Sequence, residues 1–158
     1  MALWLKKIFL NRRAKPAASH LQLGARGEQV AIEYLKEYEG YRIVATNFLV
    51  PVGRGLRGQK VNAEIDLIAY DAGQLVFIEV KTRTSDAFIA PERAVDLRKQ
   101  RQIARAARRY RKLMGVSPEP YRYDVVTVVP QARRYKIELL RNYFDDRIFR
   151  NARYFRRD

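Results

Sequence analysis

Four charged side chains sit inside otherwise apolar segments, and their types and spacing suit metal-assisted phosphodiester chemistry. In Ala63-Glu64-Ile65-Asp66-Leu67-Ile68-Ala69-Tyr70, strand alternation puts Glu64 and Asp66 on one face and Ile65, Leu67 and Ala69 on the other. In Leu75-Val76-Phe77-Ile78-Glu79-Val80-Lys81, the same rule groups Glu79 with Lys81, opposite Val76, Ile78 and Val80. A tight turn at Asp71-Ala72-Gly73 joins the two strands. A hairpin closing symmetrically about Ala72-Gly73 sets Asp66 across from Glu79 and Glu64 across from Lys81. Like charges so opposed destabilise a sheet, so Asp66 and Glu79 need compensation. A divalent cation supplies it, because two carboxylates, a main-chain carbonyl and waters make an ordinary Mg²⁺ shell. Phosphodiester cleavage needs a metal to polarise a phosphoryl oxygen and acidify a bound water. It also needs a nearby cation to orient that water or stabilise developing charge, and Lys81 is placed for it. A purely structural alternative stands beside this one: a Glu64–Lys81 cross-strand ion pair, with Asp66 and Glu79 partly solvated at a sheet end.

Composition narrows the chemistry further. The 158 residues suit one compact domain and contain no cysteine, which excludes disulfides, thiolate nucleophiles, iron–sulfur clusters and Cys-ligated zinc. His20 is the single histidine and falls in a Pro/Ala/Ser stretch suited to an exposed loop or a first helical turn, so a His-rich metal site cannot form within the chain. Any catalytic metal must take oxygen ligands, which selects Mg²⁺ or Mn²⁺. The 32 Lys and Arg against 17 Asp and Glu leave +15 at pH 7, a balance expected of a protein that meets a polyanion. Nucleic acid is the leading partner class and an anionic membrane surface the second. No stretch approaches the roughly 18 uninterrupted apolar residues of a membrane span. Near the start, Lys6 and Lys7 interrupt the apolar run and the basic cluster follows it, the wrong order for a secretory signal, and a cytoplasmic location fits. Trp4, Ile8 and Leu5 suit one helical face of a short amphipathic arm.

The elements that must position the acidic cluster are legible around it. Apolar spacing predicts a helix over Leu21–Glu39, closed by Gly40, then a strand over Tyr41–Val50. Pro51–Asn62 is a glycine-rich, basic excursion. Strands Ala63–Tyr70 and Gln74–Thr82 follow, and a loop through Asp86 and Pro91 leads to a helix over Leu97–Met114. Strands Tyr121–Val129 and Tyr135–Leu140 complete the order αβββαββ. The second helix is a crossover that makes the strand after it parallel to Gln74–Thr82. A basic arm over 1–20, a domain over 21–143 and a basic tail over 144–158 divide the chain. Gly53-Arg54-Gly55-Leu56-Arg57-Gly58 satisfies G-x-G-x-x-G, but a strand follows it where a dinucleotide site needs a helix. The segment reads instead as a mobile hairpin loop, either simply solvated or touching phosphates through Arg54, Arg57 and Lys60.

Within the second helix, Arg98, Arg101, Arg105, Arg108 and Lys112 follow spacings that align them on one stripe. Ile103, Ala107, Tyr110 and Met114 form the opposite stripe. No acid lies between Leu97 and Gly115, and a single-sign stripe that does not pack favours polyanion contact. Lys99 falls nearer the apolar flank, from which it either reaches the acidic site or snorkels.

Taken together, Gly24-x-x-Gly27-Glu28-x-x-Ala31-x-x-Tyr34-Leu35, Gly40-Tyr41-x-Ile43, Asn47, Glu64-Ile65-Asp66-Leu67-Ile68-Ala69, Leu75-Val76-Phe77-Ile78-Glu79-Val80-Lys81-Thr82-Arg83 and Ala94-Val95 with Lys99 resemble the YraN family of bacterial proteins of uncertain function. The resemblance spans about residues 21–129. That family is similar in turn to the PD-(D/E)XK, restriction-endonuclease-like superfamily, which includes archaeal Holliday-junction resolvases. The resemblance implies a three-layer αβα sandwich around a central mixed sheet. It also implies an Asp66…Glu79-x-Lys81 site, with the Val80 carbonyl as main-chain ligand and Glu28 approaching the same metal region. Arg83 and Lys99 join the DNA-facing residues. Two departures touch no ligand: Ala63 stands where family members commonly have Gly, and the stretch from Val50 to Asn62 is longer than usual. The expected function is a Mg²⁺- or Mn²⁺-dependent endonuclease acting on DNA, including branched or structured DNA, with a homodimer suited to cutting two strands. A noncatalytic nucleic-acid-binding protein of the same fold and a membrane-surface or partner-binding protein are the alternatives.

Overall fold

A computed structural model of the chain describes residues 5–10, 20–84 and 93–150. In chain order the elements are β1 (Leu5–Leu10), α1 (His20–Glu37), β2 (Arg42–Arg54), β3 (Lys60–Asp71), β4 (Gln74–Thr82), α2 (Leu97–Leu113), β5 (Tyr121–Pro130), β6 (Tyr135–Phe144) and a 3₁₀ helix at Asp146–Phe149. The six strands form one sheet in the order β1-β6-β5-β4-β3-β2. Only β4 and β5 are parallel, linked through α2 as the crossover argument requires, and every other neighbouring pair is antiparallel. Trp4, the segment containing Asp86 and Pro91, and residues 151–158 lie outside the described residues.

Each face of the sheet carries one helix. The apolar positions Val30, Ala31, Tyr34 and Leu35 recur at helical spacing, and in α1 they pack with Val76, Ile78, Val126 and Val128. Ile103, Ala104, Ala107 and Tyr110 of α2 pack with Ile68, Phe77 and Val125 on the other side. The result is a three-layer α/β sandwich whose central strands are buried on both faces. Asp96 caps α2 by accepting the Lys99 N–H at 2.8 Å, which fixes where the helix starts and where Lys99 emerges. The β3–β4 turn holds Ala72 and Gly73 at φ of 46° and 85°, the two positive values a two-residue hairpin needs to match strand twist. The pairs Asp71↔Gln74 through Leu67↔Ile78 follow, in the register that symmetry about Ala72-Gly73 predicts.

Three expectations need correction. Pro51–Asn62 is not a loop: β2 and β3 stay paired through Arg54↔Lys60, leaving only Gly55–Gln59 as a turn. Pro51 is tolerated there because β2 is an edge strand. Leu5–Leu10 is not helical but pairs antiparallel with β6, covering an edge that would otherwise be open. The order is therefore βαβββαββ. Met114 does not join the buried stripe, since it follows the last turn of α2 and is exposed. Beyond β6, the 3₁₀ helix packs Ile148 and Phe149 against the core beneath α2.

Candidate active site and basic trough

The β3–β4 ladder ends at Leu67↔Ile78. One step further the same register brings Asp66 to Glu79, and there the strands part. β4 continues beside β5 as far as Thr82↔Val128, while β3 continues beside β2. In place of a ladder bond, the Val80 N–H donates to Asp66 Oδ2 at 2.7 Å. The sheet thus forks at Asp66, whose carboxylate does the work of a neighbouring backbone carbonyl.

The fork has a local cause. Asn47 of β2 has φ of 50° and stands in register opposite Asp66, between the pairs Thr46↔Leu67 and Phe48↔Ile65. Asparagine tolerates this left-handed conformation, and strand alternation is broken by it. Ile65 accordingly joins the core beneath α2 and Leu67 the core beneath α1, so the expectation that Ile65 and Leu67 share a face is corrected. Glu64 is exposed and pairs in register with Leu49. It does not face Lys81, and the Glu64–Lys81 ion pair does not form, because the ladder that would align them has already opened.

On β4 the alternation holds. Val76, Ile78 and Val80 lie in the α1 layer, so Glu79 and Lys81 face α2. Glu79 is 3% exposed, with Lys81 Nζ 3.1 Å from Oε1 and Lys99 Nζ 3.1 Å from Oε2. Lys99 therefore reaches the acidic site from the first turn of α2 and does not belong to the outward basic stripe. Glu79 Oε2 is fully buried and its charge is met by Lys99 alone among the described ion pairs. Burial and the Glu79 charge push the Asp66 pKa up to about 7, against the opposing Val80 N–H and Lys99, with Glu28 raising it further. Glu28 stands on α1 and Glu79 faces α2, and both charges raise the Asp66 pKa. α1 comes this close because Gly27 lies against Thr82 at the end of β4, where a Cβ would collide with the Thr82 side chain.

These residues fit a hard divalent cation. Three acids, Asp66, Glu79 and Glu28, stand against two lysines, the donors are all oxygen, and Asp66 has no cation within ion-pair distance among the described residues. Among the described residues no three His, Cys, Asp or Glu side chains are grouped closely enough to hold a metal ion; of the expected ligands, Asp66, Glu79 and the Val80 main chain meet at the fork, and Glu28 stands on α1.

The basic residues divide. An open trough runs between Pro51 and Val52 of β2 and Arg105, Arg108, Arg109 and Lys112 of α2. Arg109 was not anticipated, because it falls one step off the 3-4 spacing of the stripe. The stripe is neither free of acids nor unpacked, as the sequence suggested. Arg108 pairs with Asp146 at 3.0 Å and stacks on Phe149, and Arg101 Nε and Nη2 both donate to the Ile148 carbonyl at 3.3 Å. Arg98, Arg105 and Lys112 are exposed, as are Arg54, Arg57 and Lys60 at the hairpin tip, while Arg83 is half-buried beyond the end of β4. No helix among the described residues is long and apolar enough to cross a membrane.

A mixed α/β sheet that opens around a half-buried Asp66 and a buried Glu79, flanked by two lysines, defines a class of site. The chain that carries it belongs to the uncharacterised protein family UPF0102, whose model matches residues 27–128, the family also called YraN. It is 43% identical over 124 residues to a UPF0102 protein of Desulfosudis oleivorans, covering 78% of this chain and 90% of that one. It is likewise 43% identical to one of Symbiobacterium thermophilum, covering 78% and 96%. A UPF0102 protein of Bacteroides thetaiotaomicron is 36% identical over 132 residues, covering 84% and 99%. The solved structure of SSO0001 overlaps 89% of this chain and 63% of its own at 16% identity and a TM-score of 0.40.

Proposed function

We propose that this protein is a Mg²⁺- or Mn²⁺-dependent endonuclease that cuts DNA phosphodiester bonds, with branched or structured DNA as the substrate class. The observation that carries the reading is the pairing of half-buried Asp66 with buried Glu79 in the fork, bordered by Lys81 and Lys99. Asp66, Glu79 and the Val80 carbonyl would hold the cation, which when bound polarises a phosphoryl oxygen and acidifies a water. Lys81, whose side chain is 38% exposed, presents its ammonium at the mouth of the site to orient that water or meet the charge that develops on phosphate. Lys99 is the second cation of the site, held in place by the capped first turn of α2. The basic trough supplies sequence-independent phosphate contacts. A cytoplasmic location and a homodimer for cutting paired strands belong to the same reading.

A noncatalytic DNA-binding protein is the second reading, favoured by the absence of a three-carboxylate cage among the described residues and by both lysines already pairing with Glu79. Purified protein incubated with branched, single-stranded and duplex DNA, with Mg²⁺, Mn²⁺ or chelator, separates the two. Metal-dependent cutting that is lost in Asp66→Ala and Glu79→Ala supports the nuclease. Tight binding with no cutting of any substrate supports the binding module.

A further inference from the structure

Past the fork, β2 and β3 have no other strand partner among the described residues, and Val50, Val52 and Ala63 seat their root on the core beneath α2. Their ladder runs on from Leu49↔Glu64 to Arg54↔Lys60, so a two-stranded ribbon extends from the site. The six steps from Asp66 to Lys60 carry its end roughly 20 Å from the carboxylates at about 3.3 Å per residue. The tip is closed by its own hydrogen bonds. The Gly55 N–H donates to the Gln59 carbonyl at 2.8 Å, the Gly58 N–H to the Gly55 carbonyl at 2.9 Å, and Arg54 Nη1 to the Gly58 carbonyl at 3.2 Å. Gly58 holds φ of 76°, which sharpens the turn. At its apex Leu56 is 108% exposed, against 60% for Leu49, the next most exposed large apolar residue described. Between Val50 and Ala63 the chain has three cations, Arg54, Arg57 and Lys60, and no acid.

A fixed turn that presents one leucine among cations matches a partner whose apolar layers are bordered by negative charge. Stacked bases between phosphates are such a partner, and apolar side chains carried on basic elements are known to wedge between base steps. Resting on the DNA-binding reading above, we infer that Leu56 is a wedge. It enters the base stack at a branch or distortion, where a gap is already open, while Arg54, Arg57 and Lys60 hold the flanking phosphates. The trough at the root of the ribbon seats the adjoining duplex arm. The ribbon thereby selects branched over uniform duplex DNA, at a distance from the chemistry.

The test uses the full-length protein in chelator, a forked DNA with 2-aminopurine at the branch, and a matched duplex. Wild type should bind the fork about tenfold more tightly than the duplex, and brighten the 2-aminopurine. Leu56→Ser, at a fully exposed position that leaves the melting temperature unchanged, should bring fork affinity down to the duplex level and abolish the brightening while duplex affinity stays the same. A Leu56→Ser protein that keeps both preference and brightening overturns the wedge. So does Leu56-dependent binding to anionic vesicles with unchanged fork binding, which would assign the tip to a membrane. Failure of wild type to bind any DNA overturns the DNA reading itself, whereas DNA binding or cutting that is indifferent to Leu56 overturns the wedge alone.

Discussion

The two ends of β4 each carry a cluster of charged side chains, and the clusters are built in opposite ways. Toward the Gln74 end, Arg122 lies in register with Val76 and binds Asp124, whose fully buried side chain accepts from Tyr41 Oη at 2.9 Å, Arg122 Nε at 3.0 Å and the Asn142 N–H at 2.8 Å. Arg122 also donates to Gln74 and Asp71, and Arg141 donates to Tyr41 Oη at 3.0 Å and Glu39 at 2.8 Å. Burial lowers the Arg122 pKa, but Asp124 and Asp71 outweigh it and raise it. The Glu79 end has the same count, three acids to two cations, but there both lysines pair with Glu79, and burial with the Glu79 charge pushes Asp66 toward neutrality. A buried ionic network whose carboxylates each meet a cation stiffens a fold, whereas a carboxylate held beside a like charge costs stability until a ligand arrives. The contrast separates a structural clamp from a candidate site without reference to function.

The comparison breaks most readily at Arg122. Arg122→Met leaves Asp71 and Asp124 without their cation and should cost about 3–5 kcal/mol in urea melts. A loss under about 1 kcal/mol would mean that the clamp is not one. Next in size is the response to metal. Mn²⁺ at about a hundred times its dissociation constant should stabilise wild type by roughly 2.7 kcal/mol. Asp66→Asn should abolish that gain, while Arg122→Met should keep it although its baseline is lower. A wild type whose melt ignores millimolar-range Mg²⁺ and Mn²⁺ would sink the metal site in the absence of DNA.

Smaller effects sharpen the same contrast. The folded-state pKa of Asp66 lies near 7, above the ordinary 3.8. The folded protein therefore binds more protons than the unfolded chain between those values, and Asp66 costs stability as pH rises from about 4 to about 7. Asp66→Asn should be free of that slope, and near neutral pH without metal it should be as stable as wild type or better by up to about 1 kcal/mol, the scale of an opposed cross-strand pair. Paired melts of the two proteins across this pH range measure it. Among the basic residues, Arg105, Arg109 and Lys112 changed together to Ala should flatten the salt dependence of DNA affinity by up to about 0.9 per lost phosphate contact. Arg101→Ala and Arg108→Ala should instead loosen the 3₁₀ helix, at under about 1 kcal/mol for the exposed Arg108 pair.

Much of the site is legible without coordinates, because it depends on neighbours in the chain. Turn chemistry at Ala72-Gly73 sets the β3–β4 register, and alternation on β4 groups Glu79 with Lys81. The family motif adds Glu28, which the structure places near enough to raise the Asp66 pKa. Alternation misleads only at Ile65 and Leu67, where the left-handed Asn47 on the neighbouring strand breaks a pattern that β3 alone would keep. The basic stripe misleads for a related reason: its acid, Asp146, lies 38 residues from Arg108.

What the sequence by itself determined is therefore the local framework: helices and strands, the hairpin register, and the acids and lysine that share it. Tertiary structure alone decided that the sheet forks at Asp66 and that Lys99 turns inward to Glu79. It also decided that β1 closes an edge, and that Arg122, Tyr41, Asp71 and Asp124 meet in one network across separations of up to 83 residues. The physical reason is range. Dihedral preference and side-chain period act over a few residues, whereas the placement of a buried charge is settled by whichever distant groups the packed core brings to it.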